Sequence, residues 1–245
     1  MPKRSRERID VRVVNAGLAE TRMRAQALIR AGKILVNDVV VDKPGTRVDV
    51  DAPMRLKGAP LKYVSRGGHK LEGALDHFDV SPDGLICADL GASTGGFTDC
   101  LLQRGAKTVF AVDVGYGQLA WKLQQDPRVI IMDRTNVRHL TALPMPPALI
   151  VGDLSFISLT LILPAILQLA APGAEAVLLI KPQFEAGPNA TKGGKVRSKA
   201  IRQKAIDDVV ECATVAGAEV VGTVPSSLAG AKKGNVEELI YLRLP

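Results

Sequence analysis

The chain has few of the residues that build disulfide-rich or zinc-binding proteins. Its 245 residues include three cysteines, Cys87, Cys100 and Cys212, which form no CxxC pair and lie in apolar stretches. This pattern favours neither a disulfide framework nor a metal site, and it is typical of a cytoplasmic protein. Aromatic residues make up only 4%, which argues against a surface that stacks many single-stranded bases.

The chain also lacks an apolar leader behind its basic N-terminus, so a signal peptide is not predicted. One segment, residues 154–174, has no charged residue and is about as long as the roughly 20 residues of a membrane span. Pro164 and several polar side chains interrupt it, and it follows a strand in a repeating strand–helix pattern. We therefore expect a buried helix here, with a membrane-active protein as the alternative.

Positive charge is concentrated near the N-terminus. The formal net charge is +7, and residues 1–60 hold 13 Lys/Arg against 7 Asp/Glu. Such an excess predicts a module that binds a polyanion, although a solvated basic face has the same composition.

Residues 8–57 have the pattern of a compact α+β module. Apolar residues of helical period occupy 9–14 and 25–29, and two short apolar runs, 34–36 and 39–41, flank a turn. Basic side chains crowd the second helix and its exit, namely Arg22, Arg24, Arg30 and Lys33.

The pattern D-x4-N-x-G-L-x2-TR-x2-A-x3-I-x-A-G-K-I-x-VN resembles the alpha-L RNA-binding motif of ribosomal and RNA-modifying proteins. The resemblance covers about the first 60 residues. It implies that the four basic side chains contact RNA phosphates and shape. We place this RNA-binding domain at 1–60, a linker at 61–66 and a second domain at 67–245.

Apolar strands alternate with helices through the second domain. Seven strands are predicted, LICADL, TVFAVD, VIIMD, ALIVGD, AVLLIKP, AEVVGTV and VEELIYLRL. Strands that are apolar throughout and separated by helices form a parallel sheet covered on both faces. The prediction is an α/β, Rossmann-like methyltransferase fold with a mostly parallel seven-stranded sheet, its last two strands forming a reversal.

An acidic residue lies at the end of each of the first four strands, namely Asp89, Asp113, Asp133 and Asp153. Open parallel sheets bind ligands at these strand ends. The turn after the first strand has G-x-x-x-G-G spacing, whereas a pyrophosphate-binding dinucleotide fold has G-x-G-x-x-G. Because S-adenosylmethionine has no pyrophosphate, this difference in glycine spacing favours it over a dinucleotide as the ligand. The predicted cofactor-binding residues are Asp89, Gly91, Ser93, Thr94, Gly95, Gly96, Phe97, Asp113 and Asp133.

Each acid has an expected role in that site. Asp89 and the glycine-rich turn hold the methionine part of the cofactor, Asp113 accepts from the ribose hydroxyls, and Asp133 accepts from the adenine amino group. Asp153 is expected beside the methyl group that is transferred.

Lys181 ends the fifth strand and faces the same cleft as Asp153. With Lys70 and Glu237 it gives a set that resembles the K-D-K-E tetrad of ribose 2'-O-methyltransferases. Lys181 is then the base or oxyanion partner, Asp153 and Glu237 orient it, and Lys70 polarises the site or holds a phosphate. Because adjacent strand residues face opposite sides, only one of Glu237 and Glu238 can enter the site, and the GN-x-E spacing selects Glu237.

The motifs DLGASTGGFT, DVGYGQLAW, DRTN, DLSFISL, KPQFE and GNVE together resemble the TlyA family, some of whose members are labelled hemolysins. The resemblance implies an rRNA (cytidine-2'-O)-methyltransferase. Members that modify both ribosomal subunits carry a C-terminal extension. This chain ends at Pro245, so the expected target is large-subunit rRNA, with small-subunit rRNA left open.

Residues 191–204 carry six Lys/Arg and no acid. We expect Lys192, Lys195 and Arg197 to contact RNA phosphates, although a solvated helix start fits nearly as well. Two further alternatives are an RNA-binding protein with an inactive methyltransferase fold and a base methyltransferase. The lysine pair and the absence of an NPPY-like or catalytic cysteine motif disfavour the second. The sequence does not predict an oligomeric state.

Overall fold

The structure is a computed structural model that describes residues 6–58, 62–187, 190–191, 194–228 and 235–245. The chain divides into two compact units, Met1–Lys62 and Tyr63–Pro245. The second unit begins at Tyr63, inside the predicted linker, because the Tyr63 side chain is only 2% exposed and packs in the core of that unit.

Over its described residues, 6–58 and 62, the first unit contains two helices and two small antiparallel sheets. Its elements are β1 (Arg6–Arg8), α1 (Ile9–Asn15), α2 (Arg22–Arg30), β2 (Ile34–Val36), β3 (Val39–Val40), β4 (Arg47–Asp49) and β5 (Met54–Leu56). Strand β1 pairs with β4, and β2 lies between β3 and β5. The two predicted helices and the hairpin are present, and β1, β4 and β5 were not anticipated.

The helices of this unit form where the apolar pattern predicts them. Ile9 and Val13 from α1 and Ala25 and Ile29 from α2 are fully buried in one core. Thr21 caps α2, since its hydroxyl accepts a hydrogen bond from the Arg24 amide.

The second unit is larger. Its elements are α3 (Gly67–Phe78), β6 (Ile86–Leu90), α4 (Gly96–Gln103), β7 (Thr108–Val112), α5 (Trp121–Gln124), β8 (Val129–Met132), β9 (Leu149–Gly152), α6 (Leu163–Leu169), β10 (Glu175–Ile180), α7 (Pro182–Glu185), α8 (Lys199–Val215), β11 (Glu219–Pro225) and β12 (Glu238–Arg243). Two 3-10 helices cover Val137–His139 and Leu159–Leu161.

The seven strands of this unit form one sheet in the order β8-β7-β6-β9-β10-β12-β11. The first five strands in that order are parallel, and β12 is antiparallel to both of its neighbours. The predicted fold and the reversal at the end of the chain are confirmed. Strand β6 is followed by β7 on one side and has β9 on the other, so the strand order reverses between β6 and β9, where such folds bind ligands.

Both faces of the sheet are covered. On β7, Phe110 and Val112 pack into one apolar cluster while Val109 and Ala111 pack into the cluster on the opposite face. The uncharged segment contributes α6, which is buried in the first of these clusters. Within the described residues, no helix has the length and apolarity that crossing a membrane requires.

The run GQLAWKLQ predicts a helix over 117–124, whereas α5 covers only Trp121–Gln124. The preceding residues are not helical, since Gly117 has φ +63° and Ala120 has ψ 139°. The Gly117 amide donates to Asp133 and the Ala120 amide donates to the Thr94 carbonyl. These bonds hold the segment against the loops that follow β6 and β8.

Candidate active site

The four predicted acids lie at one edge of the sheet. Asp113, Asp133 and Asp153 each follow the last residue of a strand, β7, β8 and β9 respectively, and Asp89 is the next-to-last residue of β6. Since these strands are parallel neighbours, the topology brings the four residues to the same edge, beside the reversal in strand order.

Asp89 is completely buried, and its two carboxylate oxygens have different surroundings. Oδ2 accepts hydrogen bonds from the Thr98 amide at 2.9 Å and from the Thr98 hydroxyl at 2.6 Å. Oδ1 has no hydrogen-bond partner. Burial raises the pKa of Asp89 to about 7, with smaller contributions from the charges of Asp153 and Asp113, while the bonds from Thr98 lower it. A buried acceptor without a donor is costly, and a cationic ligand group would relieve that cost.

The turn after β6 has glycine at two positions where its backbone lies very close to other residues, Asp153 among them. Gly91 has φ +84°, and a Cβ placed there would lie 3.1 Å from the carbonyl oxygen of Asp153. Gly95 has φ +92°, and a Cβ there would overlap Leu119 and Leu123 at 2.3–2.7 Å. Both positions therefore require glycine. Gly96 is the first residue of α4.

The predicted loop residues separate into exposed and buried groups. Ser93 and Thr94 are exposed, and Ser93 has φ +50°. Phe97 is 3% exposed and its ring lies in the apolar core, so only its backbone is placed to contact a ligand.

Asp113 and Asp133 organise the loops around them. Asp113 accepts from the Ser93 amide at 2.8 Å and from the Gly115 amide at 2.7 Å, and Asp133 accepts from the Gly117 amide at 2.8 Å. Both acids are half-buried. A carboxylate can accept about four hydrogen bonds, so each acid retains capacity for a ligand hydroxyl or amino group.

Lys181 lies directly after β10 and forms a compact ion pair with Asp153. Its Nζ is 2.5 Å from Asp153 Oδ1, 3.4 Å from the Asp153 carbonyl oxygen and 2.7 Å from the Ser155 hydroxyl. Lys181 is 7% exposed, whereas the Asp153 side chain is 25% exposed. The sequence-based reasoning did not identify Ser155.

Lys70 and Glu237 form a second ion pair. Lys70 Nζ is 2.6 Å from Glu237 Oε2, and both residues are nearly buried, at 8% and 4% exposed. Glu238 pairs with Ile180 across β12 and β10, so Glu237 lies just beyond that register, on the side of Lys181. The structure therefore brings Glu237 to this edge of the sheet, and Glu238 is the first residue of β12.

A cavity of about 480 Å³ lies beside the segments that follow β9 and β10, and its lining includes Phe156, Phe184, Gln183, Arg138, Ser158 and Leu161. Phe156 is 84% exposed and has φ +65°, a left-handed conformation that is strained for an aromatic residue. Its ring centroid lies 5.2 Å from that of Phe184, and Lys181 Nζ lies 5.9 Å from the Phe184 ring. The sequence-based reasoning did not identify this aromatic pair.

Glu185 holds the loop that carries Phe156. Its carboxylate accepts from the Ser158 hydroxyl at 2.5 Å and from the Leu159 amide at 3.1 Å. Burial raises the pKa of Glu185, and these two hydrogen bonds oppose that shift. In the sequence, Glu185 is marked only by its place in the KPQFE motif. Its role could not be predicted from neighbouring residues, because its partners lie 26 residues or more away along the chain.

The predicted RNA-contacting residues differ in their surroundings. Arg24, Arg30 and Lys33 are exposed, whereas the Arg22 guanidinium is held by Asp10 at 2.9 Å. Lys192 lies outside the described residues. Arg197 is exposed and Lys195 is half-buried.

The basic segment around Lys195 is held by hydrogen bonds to a buried asparagine. Asn235, which is 4% exposed, accepts from the Val196 amide at 3.2 Å and donates to the Gly194 carbonyl at 3.0 Å. The segment is thereby held next to the strand entry that carries Glu237.

Comparison with known proteins gives two family matches. Residues 63–244 match the FtsJ-like methyltransferase family, and residues 7–52 match the S4 domain. The 16S/23S rRNA (cytidine-2'-O)-methyltransferase TlyA of Mycobacterium tuberculosis is 46% identical, over 97% of this chain and 90% of that protein. Hemolysin A of Brachyspira hyodysenteriae is 41% identical, over 96% of this chain and 98% of that protein.

Among solved structures, a protein from Streptococcus thermophilus that carries the name hemolysin is 44% identical, with a TM-score of 0.76 over 99% of this chain and 90% of that chain. The fold, the row of acids and these matches agree along nearly the whole sequence. The chain therefore belongs to the FtsJ-like methyltransferase family and, with its N-terminal S4 domain, to the TlyA proteins within it.

Proposed function

We propose that this protein transfers a methyl group from S-adenosylmethionine to the ribose 2'-hydroxyl of a cytidine in ribosomal RNA. The observation that carries the proposal is the Lys181–Asp153 pair, which lies at the edge of the sheet where Asp89 leaves a buried acceptor unused. An rRNA substrate also implies a cytoplasmic protein.

The residues around Asp89 fit the methyl donor. The unpartnered Asp89 Oδ1 would accept from the ammonium of the methionine part, and Gly91, which has no Cβ, lets the turn pack against the Asp153 backbone. Asp113 would accept from the ribose hydroxyls and Asp133 from the adenine amino group. When bound, S-adenosylmethionine supplies an electrophilic methyl group on a sulfonium.

Lys181 prepares the acceptor. A ribose hydroxyl is a poor nucleophile, and a positioned lysine can take or stabilise its proton while the oxygen attacks the methyl carbon. Asp153 fixes the orientation of Lys181 through the 2.5 Å contact. Correct alignment of the hydroxyl with the methyl group supplies a large share of the acceleration in reactions of this kind.

Lys70 and Glu237 would contribute to the same site, because Glu237 lies opposite Lys181 when the register of β12 and β10 is continued by one residue. Because both are nearly buried and paired with each other, the polarising role is favoured for Lys70 over the phosphate-holding role. Glu237 keeps the Lys70 charge in place next to the strand end that carries Lys181.

The cavity beside Phe184 is large enough for a pyrimidine base. We assign it to the base of the target nucleotide, which must leave its stack before the ribose can reach an enclosed site. Phe156 and Phe184 offer aromatic faces, and base–aromatic stacking contributes roughly 1–3 kcal/mol per base. Arg138, which is exposed at the cavity, is placed to meet a phosphate.

The S4 domain would hold the ribosomal RNA through charge. Arg24, Arg30 and Lys33 are exposed along one helix and its exit, and contacts of this type set affinity and register without reading sequence. Arg22 is exposed too, but it shares the Asp10 carboxylate with Arg8, so part of its charge is compensated and we expect a smaller contribution from it.

The direct test is tritium transfer from labelled S-adenosylmethionine to separated ribosomal subunits, with wild-type protein beside Lys181→Ala. We expect label on the ribose of a cytidine in the large subunit, with loss of most of the rate in Lys181→Ala. Label on neither subunit would refute the proposal. Lysis of liposomes without methyl transfer would instead favour the membrane-active alternative.

A further inference from the structure

The ammonium group of Lys181 is enclosed by three oxygen atoms. They are Asp153 Oδ1 at 2.5 Å, the Ser155 hydroxyl at 2.7 Å and the Asp153 carbonyl at 3.4 Å. A lysine ammonium has three N–H donors and no acceptor. Charged Lys181 therefore uses all of its hydrogens, and it can receive a proton from a ribose hydroxyl only if one of those hydrogens leaves.

The three oxygens differ in what they can do with that hydrogen. The carbonyl of Asp153 can accept a hydrogen bond but has no proton to release. The carboxylate of Asp153 can take the proton, but it then loses the charge that holds Lys181. A hydroxyl both accepts and donates, so Ser155 can take one proton and release another. Ser155 is exposed to solvent, whereas Lys181 is 7% exposed.

We propose that Ser155 passes the proton from Lys181 to solvent during methyl transfer. This inference rests on the proposed ribose methylation. As the 2'-oxygen bonds to the methyl carbon, the methyl–sulfur bond breaks and its electron pair stays on sulfur. A Lys181 proton moves to the Ser155 oxygen as the Ser155 proton moves to water, which leaves a lone pair on the Lys181 nitrogen, and the ribose hydroxyl proton then moves to that lone pair. Lys181 and Ser155 end in their starting protonation states.

The relay also requires that the loop after β9 hold Ser155 in a fixed position. Ser155 lies between Asp153 and the strained Phe156, and Glu185 fixes the same loop through Ser158 and Leu159. This arrangement holds the hydroxyl in hydrogen-bonding contact with Lys181 while leaving it open to water.

The test is single-turnover methyl transfer by Ser155→Ala, with and without imidazole. We expect the rate to fall about 100-fold, at the lower end of the range for general acid–base effects, with unchanged affinities for S-adenosylmethionine and RNA. Imidazole is small and can accept a proton from Lys181 directly. It should therefore restore much of the Ser155→Ala rate in a concentration-dependent way, and Ser155→Thr should retain the wild-type rate.

A loss of positioning alone would not be rescued by a proton acceptor. Ser158→Ala is the matched control, because it removes a hydroxyl from the same loop that does not contact Lys181; whatever rate it retains should not respond to imidazole. Full activity of Ser155→Ala, or a deficit that imidazole leaves unchanged, would overturn the relay. Absence of methyl transfer by wild-type protein would instead refute the proposed function.

Discussion

Lys70 and Glu237 are 167 residues apart in the chain, yet their side chains meet at 2.6 Å in a nearly buried ion pair. The contact joins α3, at the start of the methyltransferase unit, to the entry of β12, near the end of the chain. It therefore depends on the folded sheet and cannot form locally.

Removing one partner of this pair should destabilise the protein. Glu237→Ala leaves the Lys70 ammonium buried without its counter-ion, and such changes cost about 3–5 kcal/mol. Urea unfolding should show this loss, together with low methyl-transfer activity. Glu238→Ala is the matched control, since Glu238 is the neighbouring acid on β12; it should cost much less. Equal losses in the two variants would contradict the assignment of Glu237.

Asp89 should lower the stability of the ligand-free protein and increase its affinity for the cofactor. Its folded-state pKa of about 7 is above the ordinary value of about 3.9, so protein without ligand loses stability as pH rises from about 4 to 7. Asp89→Asn avoids this loss. The variant should gain stability relative to wild type across that range and level off above pH 7, as measured by urea unfolding at several pH values.

The same Asp89→Asn change should weaken the binding of S-adenosylmethionine in calorimetry, because the neutral amide no longer attracts an ammonium. Thr98→Val serves as a control that removes one hydrogen bond and keeps the charge. Undiminished cofactor affinity in Asp89→Asn would contradict the assigned role.

Asp10 should make the S4 domain sensitive to acid. The hydrogen bond from Arg8 holds the pKa of Asp10 well below its usual range, with further lowering by Gln26 and Arg22 against the raising effect of burial. A lowered folded-state pKa gives stability that is present above about pH 4 and lost as pH falls. Hydrogen exchange of the α1 amides in the full chain should rise steeply below pH 4.

In Asp10→Asn, exchange of the α1 amides should be faster at neutral pH and less dependent on acid. Asp38→Asn is the comparison variant, because the Asp38–Arg55 pair is partly exposed and such pairs contribute about 0–1 kcal/mol. Similar behaviour of the two variants would argue against a special role for Asp10.

Two substitutions of Phe156 separate the energetic cost of its backbone conformation from the contribution of its ring to RNA binding. Phe156→Ala and Phe156→Gly both remove the ring, so both should raise the KM for RNA without changing cofactor affinity. They differ in the backbone, since φ +65° costs alanine roughly 1–2 kcal/mol more than glycine. Unfolding measurements should therefore find the glycine variant more stable. An unchanged KM in both variants would exclude the cavity as the base site.

The sheet could be predicted because its strands carry strong local signals. Each of the strands that lead to Asp113, Asp133 and Asp153 is an apolar run followed by an acid, and the pattern locates the strand and its functional end together. The G-x-x-x-G-G spacing and the positive φ of Gly91 and Gly95 are local as well, whereas the close approaches that also require glycine there come from Asp153, Leu119 and Leu123.

The contacts that sequence reasoning missed are those made between loops. Ser155 gains its role from Lys181, 26 residues away, and Glu185 gains its role from Ser158, 27 residues away. The segment before α5 also bonds to other loops, since the Gly117 amide donates to Asp133 and the Ala120 amide donates to the Thr94 carbonyl. A single sequence gives the type of each residue, but the partner is set by how the loops are packed.

The position of β12 has a consequence for how the enzyme is made. Strand β11 precedes β12 in the chain, but β12 lies between β10 and β11 in the sheet. During synthesis, β11 therefore has no pairing partner, and the edge of β10 stays open, until β12 has left the ribosome. Glu237 arrives with β12, so Lys70 gains its counter-ion in the same step that closes the sheet. A nascent chain that stalls before this point would expose an unpaired apolar edge, which is prone to aggregate, and it would be inactive until translation of β12 is complete.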